Sequence, residues 1–261
     1  MPAQRYRRAL EYQYRRFNRR RFVHPDPLEF VYAYDDPADR QIVGLIAATL
    51  AYGRVAQILR SVRRALERMG AAPARFLSDT VPSRIERIFA DFKHRFTTGE
   101  QLAAMLLGAR RAAKRHGSLE ACFAAGLGRG DETIEPALEA FAGELARPGG
   151  YSSLISDPRR GSACKRLHLY LRWMVRRDAV DPGPWRSVPP RLLIVPLDTH
   201  MHKIARALGL TGRRGADART ARQITDAFRA VRGDDPVRYD FCLTRLGIHP
   251  DARPCEFLAR M

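Results

Sequence analysis

Apolar residues recur at three- and four-residue intervals over most of this chain, and the runs they form predict helices. Near the start, Tyr6, Leu10, Tyr14 and Phe17 share one face of a segment that carries eight arginines between residues 5 and 21, the pattern of an amphipathic basic helix. Val23 to Pro37 is punctuated by Pro25, Asp26, Pro27 and Pro37 and reads as an ordered crossing loop. Asp39 to Ala51 is apolar nearly all round, as a central buried helix would be. Val55, Ile58, Leu59, Val62, Leu66 and Met69 then mark one face of a second helix, with Gly53 at the break. Further runs cover Ile85 to Phe92, Leu102 to Ala113, Leu119 to Phe123 and Ile134 to Leu145. After them come a helix from about Ala163 to Arg177, a turn-rich insert from Asp178 to Pro190, and helices over Thr199 to Leu208, Thr220 to Val231 and Pro236 to Leu246. No strand alternation competes; only Leu192 to Val195 reads as extended, and Pro196 stops it. The expectation is an all-α chain of about ten helices, without internal repeats.

At 261 residues with 45% hydrophobic content, the chain can bury a substantial core. Lys plus Arg total 46 against 28 Asp plus Glu, a formal charge of +18. A field of that sign suits a polyanionic partner, because neutralising phosphates releases counterions; a general bias toward Arg over Lys would leave the same excess. Cys122, Cys164, Cys242 and Cys255 lie far apart and form no C-x-x-C pair, which argues against a structural zinc or an iron–sulfur cluster. The longest apolar run, Ile42 to Tyr52, is too short to span a bilayer, so a cytoplasmic protein with reduced thiols and no membrane partner is expected.

Two stretches carry the candidate chemistry: Gly161-Ser162-Ala163-Cys164-Lys165-Arg166 and Val195-Pro196-Leu197-Asp198-Thr199-His200-Met201. The second resembles the V-D-T-H or V-D-V-H signature of endonuclease III and the 8-oxoguanine DNA glycosylases. The first resembles the hairpin and helix start that carry the catalytic lysine in bifunctional members of that helix-hairpin-helix superfamily. Gln41 to Leu66 and Ala221 to Gly247 resemble its early helical pair and its closing helices, and the chain as a whole is most similar to an uncharacterised bacterial branch. The resemblance implies one unit of two helical lobes over 1–261, with a hairpin at the edge of the cleft between them. Its parts are a basic helix and crossing loop at 1–37, a first lobe at about 38–150, and at 151–261 the catalytic hairpin, the Asp-bearing helix and the closing helices.

It also implies a base-excision enzyme with an associated abasic-site lyase step, acting on a damaged base such as an oxidised purine in double-stranded DNA. Such a protein would be a monomer associated with the nucleoid. Lys165 would be the nucleophile and Asp198 its electrostatic partner. Chemistry supplies independent reasons for these residue types. An attacking amine must be unprotonated, and burial beside a cation such as Arg166 lowers a lysine's pKa. A carboxylate near the sugar stabilises the positive charge that develops as the glycosidic bond breaks. On sequence alone other readings stand beside these. Asp198 is a good N-cap, and Lys165 is one of seven Lys and Arg between Arg159 and Arg177.

The hairpin departs from the family's L-P-G-V-G-x-K: Gly161 keeps the first glycine, Ala163 replaces the second, and Arg159-Arg160 stands where Leu-Pro is usual. Amides at Gly161, Ser162 and Ala163 could still cradle a phosphate, with Arg166, His200 and Lys203 as further DNA contacts. His200 is equally well read as a packed structural histidine. Trp173, Tyr239, Asp240 and Phe241 are candidates for the base pocket, where a flipped base is held between flat faces and read along its polar edge. Trp185 is a further aromatic candidate, and Tyr52 is a candidate wedge toward the duplex. No metal or cofactor is assigned, since histidines at i and i+2 point apart on a helix. A non-catalytic DNA-binding protein on the same fold is the alternative, and RNA is open as a substrate.

Overall fold

Proline begins helices in this chain more often than it ends them. Helix α2 (Pro37–Thr49) opens on Pro37 with Asp36 as cap, its carboxylate accepting from Ala38 N at 2.7 Å. Proline at the first helical position lacks only an N–H that would have had no helical partner. The same device starts α4 (Pro73–Asp79) and α5 (Pro82–Phe89). In the computed structural model, which describes residues 5–246, twelve α-helices, four short 3₁₀ helices and one small hairpin make up the regular structure among the described residues. Cys255 and Gly247 lie outside them.

The other helices are α1 (Arg7–Phe17), α3 (Val55–Glu67), α6 (Gly99–His116), α7 (Leu119–Ala124), α8 (Glu135–Ala146), α9 (Lys165–Val175), α10 (Thr199–Ala207), α11 (Ala218–Arg229) and α12 (Asp240–Leu246). The fold is all-α, and no helix among the described residues is long and apolar enough to cross a membrane. Strands β1 (Lys93–His94) and β2 (Thr97–Thr98) pair antiparallel and were not expected, since four residues are too few to show an alternation. Leu192 to Val195 is no strand. Pro190–Leu192 is a 3₁₀ turn, and Val195 N donates to Thr225 Oγ1 at 3.0 Å instead of to a neighbouring strand.

Helix α2 is buried from Gln41 to Thr49, as its all-round apolar sequence requires, and packs against α9. At Gly44 an added Cβ would lie 2.7 Å from Met174 Cε, the end of a flexible side chain that packs into the space glycine leaves. Helix α6 is closed at its start by a reciprocal cap between Thr98 and Gln101, and packs against α5, α7 and α8. Helix α1 lays Ala9, Leu10, Gln13 and Phe17 on the interior and packs against α12, leaving Arg7, Arg8 and Arg15 exposed. Glu11 accepts from Tyr239 Oη at 2.6 Å, and Arg238 stacks 3.7 Å over the Tyr14 ring.

The insert after α9 is turn-rich, as expected, but it belongs to the core. Val180, Trp185 and Val188 are buried, and Gly183 and Trp185 donate their amides to the carbonyls of Trp173 and Met174 at 3.1 and 2.8 Å. Arg172 on α9 and Arg176 just past its end, both buried, draw it in. Asp181 receives Arg172 Nε at 3.1 Å and is paired with Arg176, which also meets Asp178 at 2.8 Å and Asp235 at 2.9 Å. Arg172 is paired on its other side with Asp240. Breaking such a pair leaves a charge buried without its partner, which costs far more than a surface pair contributes. Asp181→Ala should therefore lower the free energy of unfolding by about 3 kcal/mol in urea titration. Asp226→Ala, which removes the exposed partner of Arg229, should cost less than about 1 kcal/mol.

Candidate active site around Lys165

Helix α9 begins at Lys165 because the chain turns sharply just before it. Asp157 caps a 3₁₀ turn over Pro158–Arg160, and Gly161 follows at φ +77°. Ser162 then forms a single antiparallel bridge with Asp217, with Ala218 N donating to Gly161 O at 3.0 Å. Cys164 takes φ +41°, a left-handed conformation that residues with a Cβ adopt seldom, and its amide is met by Ser162 Oγ at 3.2 Å. Cys164 gives α9 no side-chain cap. Gly161, Ser162 and Ala163 line a hollow of about 440 Å³ that Arg160 and Asp217 share.

Lys165 is half-buried, and its Nζ donates to Ala51 O, just past the end of α2, at 3.2 Å. It lines a cavity of about 680 Å³ whose wall also includes Asp198, His200, Asp240 and Phe241, brought from α10 and α12. Burial pulls the lysine pKa below its usual range; the charges of Asp198, Asp26 and Asp240 oppose the shift, and Arg166 assists it. Asp198 does cap α10, accepting from Met201 N at 2.8 Å, and faces the cavity while doing so. The two readings of Asp198 are thus not exclusive, because the cap fixes the carboxylate where Lys165 feels its charge.

Several expected residues are elsewhere or otherwise engaged. Arg166 lines both the Lys165 cavity and the neighbouring hollow, and its guanidinium donates to Thr49 O at 3.0 Å and to Ser153 O and lies 4.9 Å from the Tyr52 ring, so it also clamps α9 to the end of α2. Trp173 is fully buried in the core, outside the cavity, and Tyr239 is fully buried against Phe228 and Tyr14. Trp185 packs with Phe123, Phe141 and Tyr170. Period alone cannot tell which side of a helix meets a cavity and which meets the core. His200 and Lys203 are exposed on α10, His200 at the cavity wall, whereas His202 bonds to Arg213 O at 3.0 Å.

Asp240 and Phe241 do reach the cavity, and two residues that sequence reasoning missed join them. Asp26 and Arg245, 219 positions apart, form an ion pair there. Nothing in the sequence links them, since Asp26 reads as a turn residue between two prolines and Arg245 as a surface charge of the closing helix. Asp240 is 2% exposed and Arg245 3%. Among the described residues, Asp240 Oδ1 and Arg245 Nε have no hydrogen-bond partner. Burial pushes the Asp240 carboxyl upward, against the pull of Arg172. The Arg245 guanidinium lies 4.5 Å from the centre of the Phe241 ring. A buried donor and a buried acceptor left open beside one ring are costly unless a ligand completes them.

The family described as "Protein of unknown function (DUF2400)" matches residues 26–249 of this chain. The chain belongs to that family. Searches of curated proteins and of solved structures found no match. The DUF2400 span takes in Asp26, Lys165, Asp198, Asp240 and Arg245, and leaves out α1.

An amine attacks an electrophilic carbon in its unprotonated form, and a lowered pKa makes that form a larger fraction than it is for an exposed lysine. The chain has three other lysines, Lys93, Lys114 and Lys203, all exposed. Lowering the pKa raises the unprotonated fraction at a given pH, so the labelling rate at Lys165 should level off at lower pH than theirs. Peptide mass spectrometry after brief treatment with a small acylating reagent, over a series of pH values, measures this order directly.

Proposed function

We propose that this DUF2400 protein removes a damaged base from double-stranded DNA and cleaves the sugar that remains, with Lys165 as nucleophile. The observation that carries the reading is the desolvated Lys165 amine in a cavity it shares with the Asp198 carboxylate. The cavity volume lies within the range of small-molecule sites. In this reading the base leaves as Asp198 stabilises the positive charge on the sugar, and Nζ bonds to C1′. The C1′–O4′ bond then opens with protonation of O4′, leaving an imine between C1′ and Nζ. Loss of a C2′ proton expels the 3′ phosphate. Phe241 offers a flat face to the base, and the open atoms of Asp240 and Arg245 offer an acceptor and a donor to its polar edge.

The same reading assigns the turn at Gly161 to Cys164 the place of the hairpin between two helical lobes, with the excess positive charge attracting the duplex. The resemblance of the Lys165 and Asp198 stretches to helix-hairpin-helix glycosylases supports it. The alanine at 163 favours the alternative of a DNA-binding protein without chemistry, and one experiment separates the two. Borohydride reduces an imine to a permanent adduct, so the wild-type protein should be trapped on at least one duplex carrying an oxidised purine, an oxidised pyrimidine, uracil or an abasic site. Lys165→Ala should abolish trapping with little change in binding. Asp198→Asn, which keeps a capping oxygen, should slow base release by about 10²-fold or more. Binding without trapping on every duplex would favour the non-catalytic protein.

A further inference from the structure

Helix α1 precedes the span that matches DUF2400 and supplies none of the described cavity wall, so the reading of the Lys165 site gives it no role. It is nevertheless firmly placed. Its interior face packs on α12, and Glu11, the one acidic residue of the helix, accepts from Tyr239 Oη at 2.6 Å and pairs with Arg238 Nε at 3.4 Å. Tyr14 Oη donates to Asp178 at 3.0 Å. What remains outside is positive: Arg7, Arg8 and Arg15 on the helix and Arg19, Arg20 and Arg21 just after it are all exposed. A general bias toward arginine leaves such side chains beside acids elsewhere, as at Arg68–Asp91, Arg75–Asp79 and Arg229–Asp226. Among the described residues, Arg7, Arg8, Arg15 and Arg19 have no carboxylate partner.

Both ends of this basic face adjoin the cavity. An added Cβ at Gly209 would lie 3.9 Å from Arg5 Nη2, so the start of α1 sits beside the end of α10, the helix that Asp198 caps and on which Lys203 and Arg206 are exposed. At the other end the chain passes from Arg21 to Pro25, a residue of the cavity wall, in four residues, which span about 14 Å at most. The helix itself adds about 16 Å. Its apolar side is covered by α12, which leaves no apolar face for a bilayer. A row of cations held rigidly at that distance from the cavity suits a rigid polyanion that passes over both, as duplex DNA does with one charge per roughly 1.7 Å of axis.

We infer that α1 and the arginines after it form a second DNA contact, along the phosphates of the duplex that flanks the nucleotide in the Lys165 cavity, on one side of that nucleotide only. The inference rests on the reading of the partner as double-stranded DNA. It lengthens the footprint on that side by about nine base pairs, the number that fills roughly 30 Å at 3.4 Å each. Because α1 is pinned to α12 before any DNA arrives, these contacts need little ordering of the chain.

Duplexes carrying a reduced abasic site, which cannot form an imine, test the contact apart from chemistry. Their flanks are cut separately on each side from about twelve base pairs to about four, and affinity is followed by fluorescence anisotropy over a series of salt concentrations. Wild-type protein should bind about tenfold or more weakly when one flank is cut and nearly unchanged when the other is cut. The triple variant Arg7→Gln, Arg8→Gln, Arg15→Gln should bind both lengths alike, with a salt slope smaller by about 2.7, or 0.9 for each phosphate released. The exposure of the three positions and the helix propensity of glutamine keep it folded. A control of equal charge change on α5 and α6, Arg84→Gln, Arg87→Gln, Arg111→Gln, should keep the wild-type dependence on flank length. A triple variant that keeps that dependence, or a control that loses it equally, overturns the inference and leaves the Lys165 chemistry standing. So does a preference for single-stranded RNA over duplex that the triple variant loses. If wild-type protein binds no duplex, both fall together.

Discussion

Two buried arginines, one on helix α9 and one just past its end, hold much of this molecule in register. Arg172 and Arg176 cannot remain desolvated without carboxylates, and they collect four: Asp181 and Asp178 from the insert, Asp235 from the segment before α12, and Asp240 at the start of α12. Because burial penalises an uncompensated charge so heavily, these segments are fixed relative to α9 by electrostatics as much as by packing. Lys165 begins the same helix. One rigid element thus carries the amine at its start and the ion-pair network along its later turns, and Asp240 belongs to both, as a partner of Arg172 and a wall of the cavity.

The amine itself sits in a balance of opposing effects. Desolvation favours its neutral form, whereas Asp198, Asp26 and Asp240 favour the charged one. Desolvation prevails because Asp198 spends part of its charge on the α10 cap, Asp26 is paired with Arg245, and Asp240 is paired with Arg172. The carboxylates line the same cavity as the amine and oppose the downward shift without reversing its direction.

The long helices were legible in the sequence because burial on one face leaves a 3.6-residue trace whatever lies opposite. Lys165, Asp198, Asp240 and Phe241 were legible as residues of one cavity through resemblance, and Asp198 through its cap as well. The elements that escaped did so for definite reasons. The β1–β2 hairpin has too few residues for any period, and α4 sits between prolines that read as breaks although Pro73 in fact starts it. Arg166 was read as a DNA contact and Tyr52 as a candidate wedge, and a sequence pattern does not say where a long side chain finds its acceptors; here these include Thr49 O and Ser153 O for the first and His94 O for the second. Asp26 and Arg245 meet only through the tertiary fold.

Cys164 has a further consequence. A residue with a Cβ pays roughly 1–2 kcal/mol for a left-handed conformation that glycine adopts freely, so the peptide immediately before Lys165 is closed by its surroundings, through the Ser162–Asp217 bridge and the packing of α9, and against its own backbone preference. The free energy of opening this turn is smaller by that amount than the bridge and packing alone would give. The molecule therefore carries the Lys165 amine on a spring-loaded joint, and an occupant of the cavity that binds only the closed turn would tighten that joint by mass action.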